Sequence, residues 1–138
     1  MKLPTDYRPS ENEEFMNPLQ KEYFRQKLLN WRTALLAEAN MTLENLAEQG
    51  GYNAPDLIDR SAAETDRVFE FRARSRARKL ISKIDEALMR IKDGSYGFCE
   101  ETGEPISLKR LEARPVATLC IEAQERHERH EKMHREEE

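Results

Sequence analysis

The sequence predicts a mostly α protein: a long antiparallel coiled-coil helical hairpin on a small head, followed by a C-terminal helix. Three observations predict it. Two stretches carry apolar residues at steps of three and four. A short acidic turn, Asp56-Leu57-Ile58-Asp59, joins them. Beyond the second stretch, glycines, prolines and aromatic residues crowd together before a last, highly charged segment.

Residues 1–16 carry Pro4, Pro9 and mixed charges without periodicity, and read as an extended leader. The hairpin occupies residues 17–94, with its tip at 50–60. Asn17-Pro18-Leu19-Gln20 has the order of a helix start, with Asn at the N-cap, Pro in the first turn and Gln closing a capping box. Phe24, Leu28, Trp31, Leu35, Ala39, Leu43 and Leu46 then form one apolar stripe. Gly50-Gly51 supplies the left-handed conformation that ends a helix. Pro55 keeps the turn non-helical. Ser61-Ala62-Ala63-Glu64 is a second capping box, which starts the next helix near Asp59 to Ser61. Its stripe is Phe69, Ala73, Ala77, Leu80, Ile84, Ala87 or Leu88, and Ile91, and Asp93-Gly94 ends it. Two helices of about 32 residues give a hairpin roughly 45–50 Å long at about 1.5 Å per residue. Each narrow stripe needs a partner, and the two satisfy each other.

Residues 95–138 hold the head and the final helix. Cys99-Glu-Glu-Thr102 and Cys120-Ile-Glu-Ala123 have the spacing of a zinc ribbon whose second ligand in each pair is replaced. Two thiolates do not make a tetrahedral zinc site, so no tightly bound metal or cofactor is expected. His127, His130 and His134 lie on the last helix, too far along it to complete the set. The head is then held by packing of Tyr96, Phe98, Ile106, Leu108, Leu111 and Leu119, with both cysteines as small apolar residues.

Charged residues (36%) nearly equal hydrophobic ones (38%), which suits an elongated protein with a small core. A net charge of −4 argues against general DNA binding. No apolar run reaches the ~20 residues of a membrane span. No signal peptide opens the sequence, so a cytoplasmic protein with reduced cysteines is expected. There is no phosphate-binding glycine loop and no nucleophile–base pair, and two aspartates on a hairpin tip lack an enclosing pocket; the chain does not read as an enzyme. The run Arg67, Arg72, Arg74, Arg76, Arg78, Lys79 is either a solvated face or a contact for an acidic partner.

Tyr96-Gly97-Phe98-Cys99, Leu111-Glu112-Ala113-Arg114-Pro115 and Leu119-Cys120-Ile121 resemble the C-terminal zinc-finger signature of the bacterial DksA/TraR family. Pro55-Asp56-Leu57-Ile58-Asp59-Arg60 resembles that family's coiled-coil tip. The resemblance runs from about Glu14 to about Arg126. It implies a monomeric transcription regulator that binds RNA polymerase rather than DNA or membrane. It implies that the coiled coil enters the polymerase secondary channel and acts with the alarmone guanosine tetraphosphate (ppGpp). By the same resemblance, Asp56 and Asp59 are the tip aspartates, with Ser61 in the place of a usual alanine. Arg76 is a polymerase contact, and Leu80, Lys83 and Arg114 belong to the alarmone site. Gln124 stands where a further lysine of that site would be. Cys99, Thr102, Cys120 and Ala123 occupy the degenerate zinc positions. Two other readings stay open: a thiol-based redox-responsive regulator on the same scaffold, and a coiled-coil adaptor for another partner.

Overall fold

The computed structural model describes residues 2–50 and 57–137, and the side chains of residues 2–41 and 64–136. The chain is mostly helical, in the order α1 (Pro18–Gly50), α2 (Leu57–Asp93), α3 (Leu108–Ala113) and α4 (Ile121–Glu137). It divides into two compact units: Met1–Leu28 with Glu86–Glu138, and Leu29–Asp85. None of the helices among the described residues is long and apolar enough to cross a membrane.

The second unit is the antiparallel pairing of α1 with α2. Leu35, Ala77 and Ile84 are buried in it, and Arg32 Nε donates to Asp85 Oδ1 across the helices at 2.8 Å. Two heptad series on α2 turn inward. Arg67, Arg74, Ile81 and Leu88 form one, and Glu70, Ala77, Ile84 and Ile91 the other; every member is buried or half-buried. The expected stripe agrees from Ala77 onward and fails before it: Phe69 is 61% exposed and Ala73 is exposed. The seam keeps a 3.5-residue period, whereas the apolar residues before Ala77 do not.

In the first unit, α1 begins at the expected Asn17-Pro18 signal. Asn17 Oδ1 accepts from Gln20 N–H at 2.9 Å, satisfying one unpaired donor of the first turn. The reciprocal bond reaches one residue further back than a capping box does: Gln20 Oε1 accepts from Met16 N–H at 2.8 Å. Gln20 Nε2 also donates to the Ser10 carbonyl at 3.2 Å, so this fully buried amide fastens the leader. The leader is therefore a series of packed turns rather than an extended segment. Tyr7 O–H donates to Glu13 at 2.9 Å, Tyr7 stands edge-on to Tyr23, and Phe15 edge-on to Phe98. Met16 is buried at a left-handed φ of 54°. Phe24, Leu28, Ala87, Tyr96, Ile106 and Leu111 complete the core.

Candidate functional site

α2 starts at Leu57, earlier than the second capping box implies. Ser61 is thus the fifth residue of the helix and not its N-cap, and Asp59 is the third. Asp56 lies outside the described residues, as do the side chains of Asp59 and Ser61.

Along α2, Arg76 and Lys83 are exposed and Leu80 half-buried. Their spacing of four and three residues puts them on adjoining turns of one side of the helix. Arg114, exposed at the C-terminus of α3, belongs to the other unit. Its neighbourhood is well fixed: Arg114 N–H donates to the Arg110 carbonyl at 2.7 Å, and Arg110 Nε donates to the Leu119 carbonyl at 2.9 Å. Glu112, on the same short helix, pairs with Lys27 at 2.7 Å. Gln124 is half-buried and donates to Glu128 at 3.1 Å.

The head turns on Cys99. Phe98 bridges antiparallel to Pro105, Cys99 N–H donates to the Glu104 carbonyl at 2.8 Å, and Gly103 N–H returns to the Cys99 carbonyl at 2.9 Å. This knuckle needs the left-handed φ of 75° at Gly103. Cys99 and Cys120 are both buried and unbridged. Burial pushes the Cys99 thiol up, but stronger opposing effects hold it down at about 6. They are hydrogen bonds from the Thr102 hydroxyl and from the backbone N–H groups of Cys120, Thr102 and Glu101. Tyr96, Ile106, Leu108 and Leu111 are buried as expected, while Phe98 is 38% exposed and Leu119 half-buried. Tyr96 O–H donates to the Pro115 carbonyl at 2.8 Å, and burial raises its pKa well above the usual phenol range. His127 Nε2 lies 3.2 Å from Glu101 Oε2, linking α4 to the knuckle.

These elements can be set beside known proteins. The N-terminal domain of DnaK suppressor protein DksA matches residues 20–91, and the prokaryotic dksA/traR C4-type zinc finger matches residues 94–129. Over 131 residues the chain is 61% identical to the RNA polymerase-binding transcription factor DksA of Caulobacter vibrioides, covering 95% of this chain and 92% of that protein. The chain belongs to the DksA family. The Escherichia coli K12 DksA protein is 41% identical over 116 residues, covering 84% of this chain and 76% of that protein. The structure of transcription factor DksA2 from Pseudomonas aeruginosa superposes with a TM-score of 0.81 at 42% identity, covering 91% of this chain and 94% of that one. DksA proteins are not enzymes, and the chain is a transcription-regulator type by descent.

The C4-type zinc finger of the family does not fit the residues present. Ala123 offers no donor and is fully buried, and the Thr102 hydroxyl is a weak ligand whose oxygen already accepts from Glu104 N–H at 3.2 Å. Among the described residues no group of three His, Cys, Asp or Glu side chains is gathered to hold a metal ion. Two features of this DksA-family chain lie outside the expectations from its sequence: the N–H groups that hold the Cys99 thiol down, and the outward turn of Phe69 beside Val68. The first depends on backbone direction. The second could have been found by extending the 3.5-residue period of Ala77, Ile84 and Ile91 back toward the tip.

Proposed function

We propose that the protein regulates transcription initiation by binding RNA polymerase directly, without binding DNA. The observation that carries this reading is the 61% identity, over nearly the full length of both chains, to a protein named as an RNA polymerase-binding transcription factor. The acidic tip sequence and a helical hairpin to present it support the finer reading. The hairpin enters the polymerase secondary channel, and Asp56 and Asp59 act electrostatically near a centre that handles magnesium and phosphate. Ser61, small like the usual alanine, leaves room for that approach. Arg76 contacts polymerase. Leu80, Lys83 and Arg114 hold guanosine tetraphosphate against it, with Gln124 one cation short. The regulator works as a cytoplasmic monomer, and its head stands without zinc.

In vitro transcription from a sensitive promoter tests this, with purified polymerase and with or without guanosine tetraphosphate. The expected result is altered initiation that the alarmone strengthens. No effect on any promoter, with polymerase binding absent, would overturn it.

The lowered Cys99 thiol favours one further reading, that oxidants act on the regulator through this sulfur. Peroxide treatment of the wild type and of Cys99→Ser in the same transcription assay separates the two. An equal response in both proteins eliminates the thiol reading.

A further inference from the structure

The C-terminal helix carries a histidine pattern that has no part in the function proposed above. His127, His130 and His134 all lie on α4, and all three are exposed. They are not equivalent. His127 Nε2 is 3.2 Å from Glu101 Oε2, which ties it to the knuckle of the head. His130 and His134 are four residues apart, in the stretch His130-Glu131-Lys132-Met133-His134. On a helix that spacing brings two side chains onto one face, with Cβ atoms about 5–6 Å apart. It is also the spacing of the H-E-x-x-H metal motif, in which two imidazoles one turn apart grip a single ion. Imidazole suits Cu²⁺, Ni²⁺ and Zn²⁺, whereas Mg²⁺ and Ca²⁺ prefer oxygen ligands. Two further features favour a cation here. Glutamates outnumber lysines and arginines along α4. His134 lies in the last turn of the helix, at the negative end of its dipole.

We infer that His130 and His134 form a surface site for a divalent transition-metal ion of the Cu²⁺, Ni²⁺ and Zn²⁺ class, with Cu²⁺ held most tightly. The pair is a chelate and not a hydrolytic centre. A catalytic zinc needs a third protein ligand and an enclosing cleft. Among the described residues no group of three His, Cys, Asp or Glu side chains is gathered to hold an ion, and both imidazoles face water. Water fills the remaining positions. The site is separate from the degenerate zinc positions of the head. Cys120 lies ten residues before His130, about 15 Å away along the helix at about 1.5 Å per residue, and both cysteines are buried. Binding also has a structural consequence. His134 is already engaged with a neighbour, so the ion exchanges one contact for another. The new contact spans a full turn at a helix end, where backbone carbonyl groups lack partners and the chain frays. The ion therefore clamps the end of α4.

The test uses the full-length chain without an affinity tag, stripped of metal and titrated by calorimetry with Ni²⁺ and, separately, with Cu²⁺ and Mg²⁺. The wild type is expected to bind a single Ni²⁺ or Cu²⁺ ion and no Mg²⁺. His134→Gln is expected to weaken Ni²⁺ binding about tenfold or more, because a second imidazole on the same helix acts at high effective concentration. His130→Gln/His134→Gln is expected to abolish it, and His127→Gln to leave it unchanged. All these positions are exposed, so helicity by circular dichroism is expected to match the wild type. Amide hydrogen exchange gives a second readout: Ni²⁺ is expected to slow exchange in the last turns of α4 in the wild type and not in His134→Gln. Absence of Ni²⁺ and Cu²⁺ binding in the wild type, or unchanged binding in His130→Gln/His134→Gln, would overturn the site. Binding lost in Cys99→Ser/Cys120→Ser and kept in the histidine variants would place the ion in the head and overturn it as well. Loss in His127→Gln, with His134→Gln unaffected, would move the ion to His127 and His130 and also contradict the assignment.

Discussion

Replacing Cys99 by serine tests how the head is held together. The groups that hold the Cys99 thiol down, the Thr102 hydroxyl and the backbone N–H groups of Glu101, Thr102 and Cys120, come from the knuckle and from the start of α4. In the unfolded chain a thiol titrates at about 8.5; in the folded head these hydrogen bonds hold it down at about 6. The folded value is the lower one. The thiolate therefore stabilises the fold fully above about pH 8.5, and that contribution is lost as pH falls through about 6. At about 1.4 kcal/mol for each tenfold change, that gap is at most about 3.5 kcal/mol. Solvent screening at the exposed Thr102 hydroxyl weakens its share, and about 1–2 kcal/mol is the expected contribution. Serine keeps an oxygen acceptor but does not ionise in this range. Urea unfolding followed by circular dichroism, in a reducing buffer with chelator, gives both stabilities at about pH 6 and about pH 8.5. The wild type is expected to gain about 1–2 kcal/mol over Cys99→Ser between the two. A difference between the proteins that does not change with pH would refute the thiolate as the junction of the head.

Gln20→Ala removes an amide that bonds Met16 and Ser10 from a fully buried site; a loss of about 1–3 kcal/mol is expected, with faster hydrogen exchange at the Met16 amide. Gly97→Ala combines a φ of 91° with a new Cβ 3.1 Å from Met16 Cε and Phe15 Cζ. It is expected to cost about 2 kcal/mol or more in urea denaturation, against about 1 kcal/mol for Gly94→Ala, whose φ is also 91° but whose Cβ meets nothing within 4 Å. Glu70→Leu places an apolar side chain at a half-buried seam position and is expected to raise stability by about 1 kcal/mol, read as a higher urea midpoint.

Local signals in the sequence place the start of α1 and the end of α2 well. Asn17-Pro18 and Asp93-Gly94 act through bonds within one turn, and both ends fall where those residues put them. The start of α2 is misread because Ser61 and Glu64 satisfy a capping pattern that the helix, begun at Leu57, does not need. The seam is legible where apolar residue and heptad position coincide, at Ala77, Ile84 and Ile91. It is misread at Phe69 because a pattern search follows hydrophobicity, while packing follows the 3.5-residue period. The leader is illegible for another reason: Asp6 and Met16 adopt left-handed φ values of 64° and 54°, which a non-periodic sequence does not announce. In the head, cysteine spacing reveals the lost zinc positions, whereas the donors that surround Cys99 come from backbone direction and from Cys120, far along the chain.

The central claim is that this DksA-family chain acts on polymerase through its acidic tip. The most direct measurement is in vitro transcription with Asp59→Asn, with polymerase affinity measured in parallel. Binding is expected to persist while the effect on initiation disappears. Wild-type regulation by Asp59→Asn would contradict it.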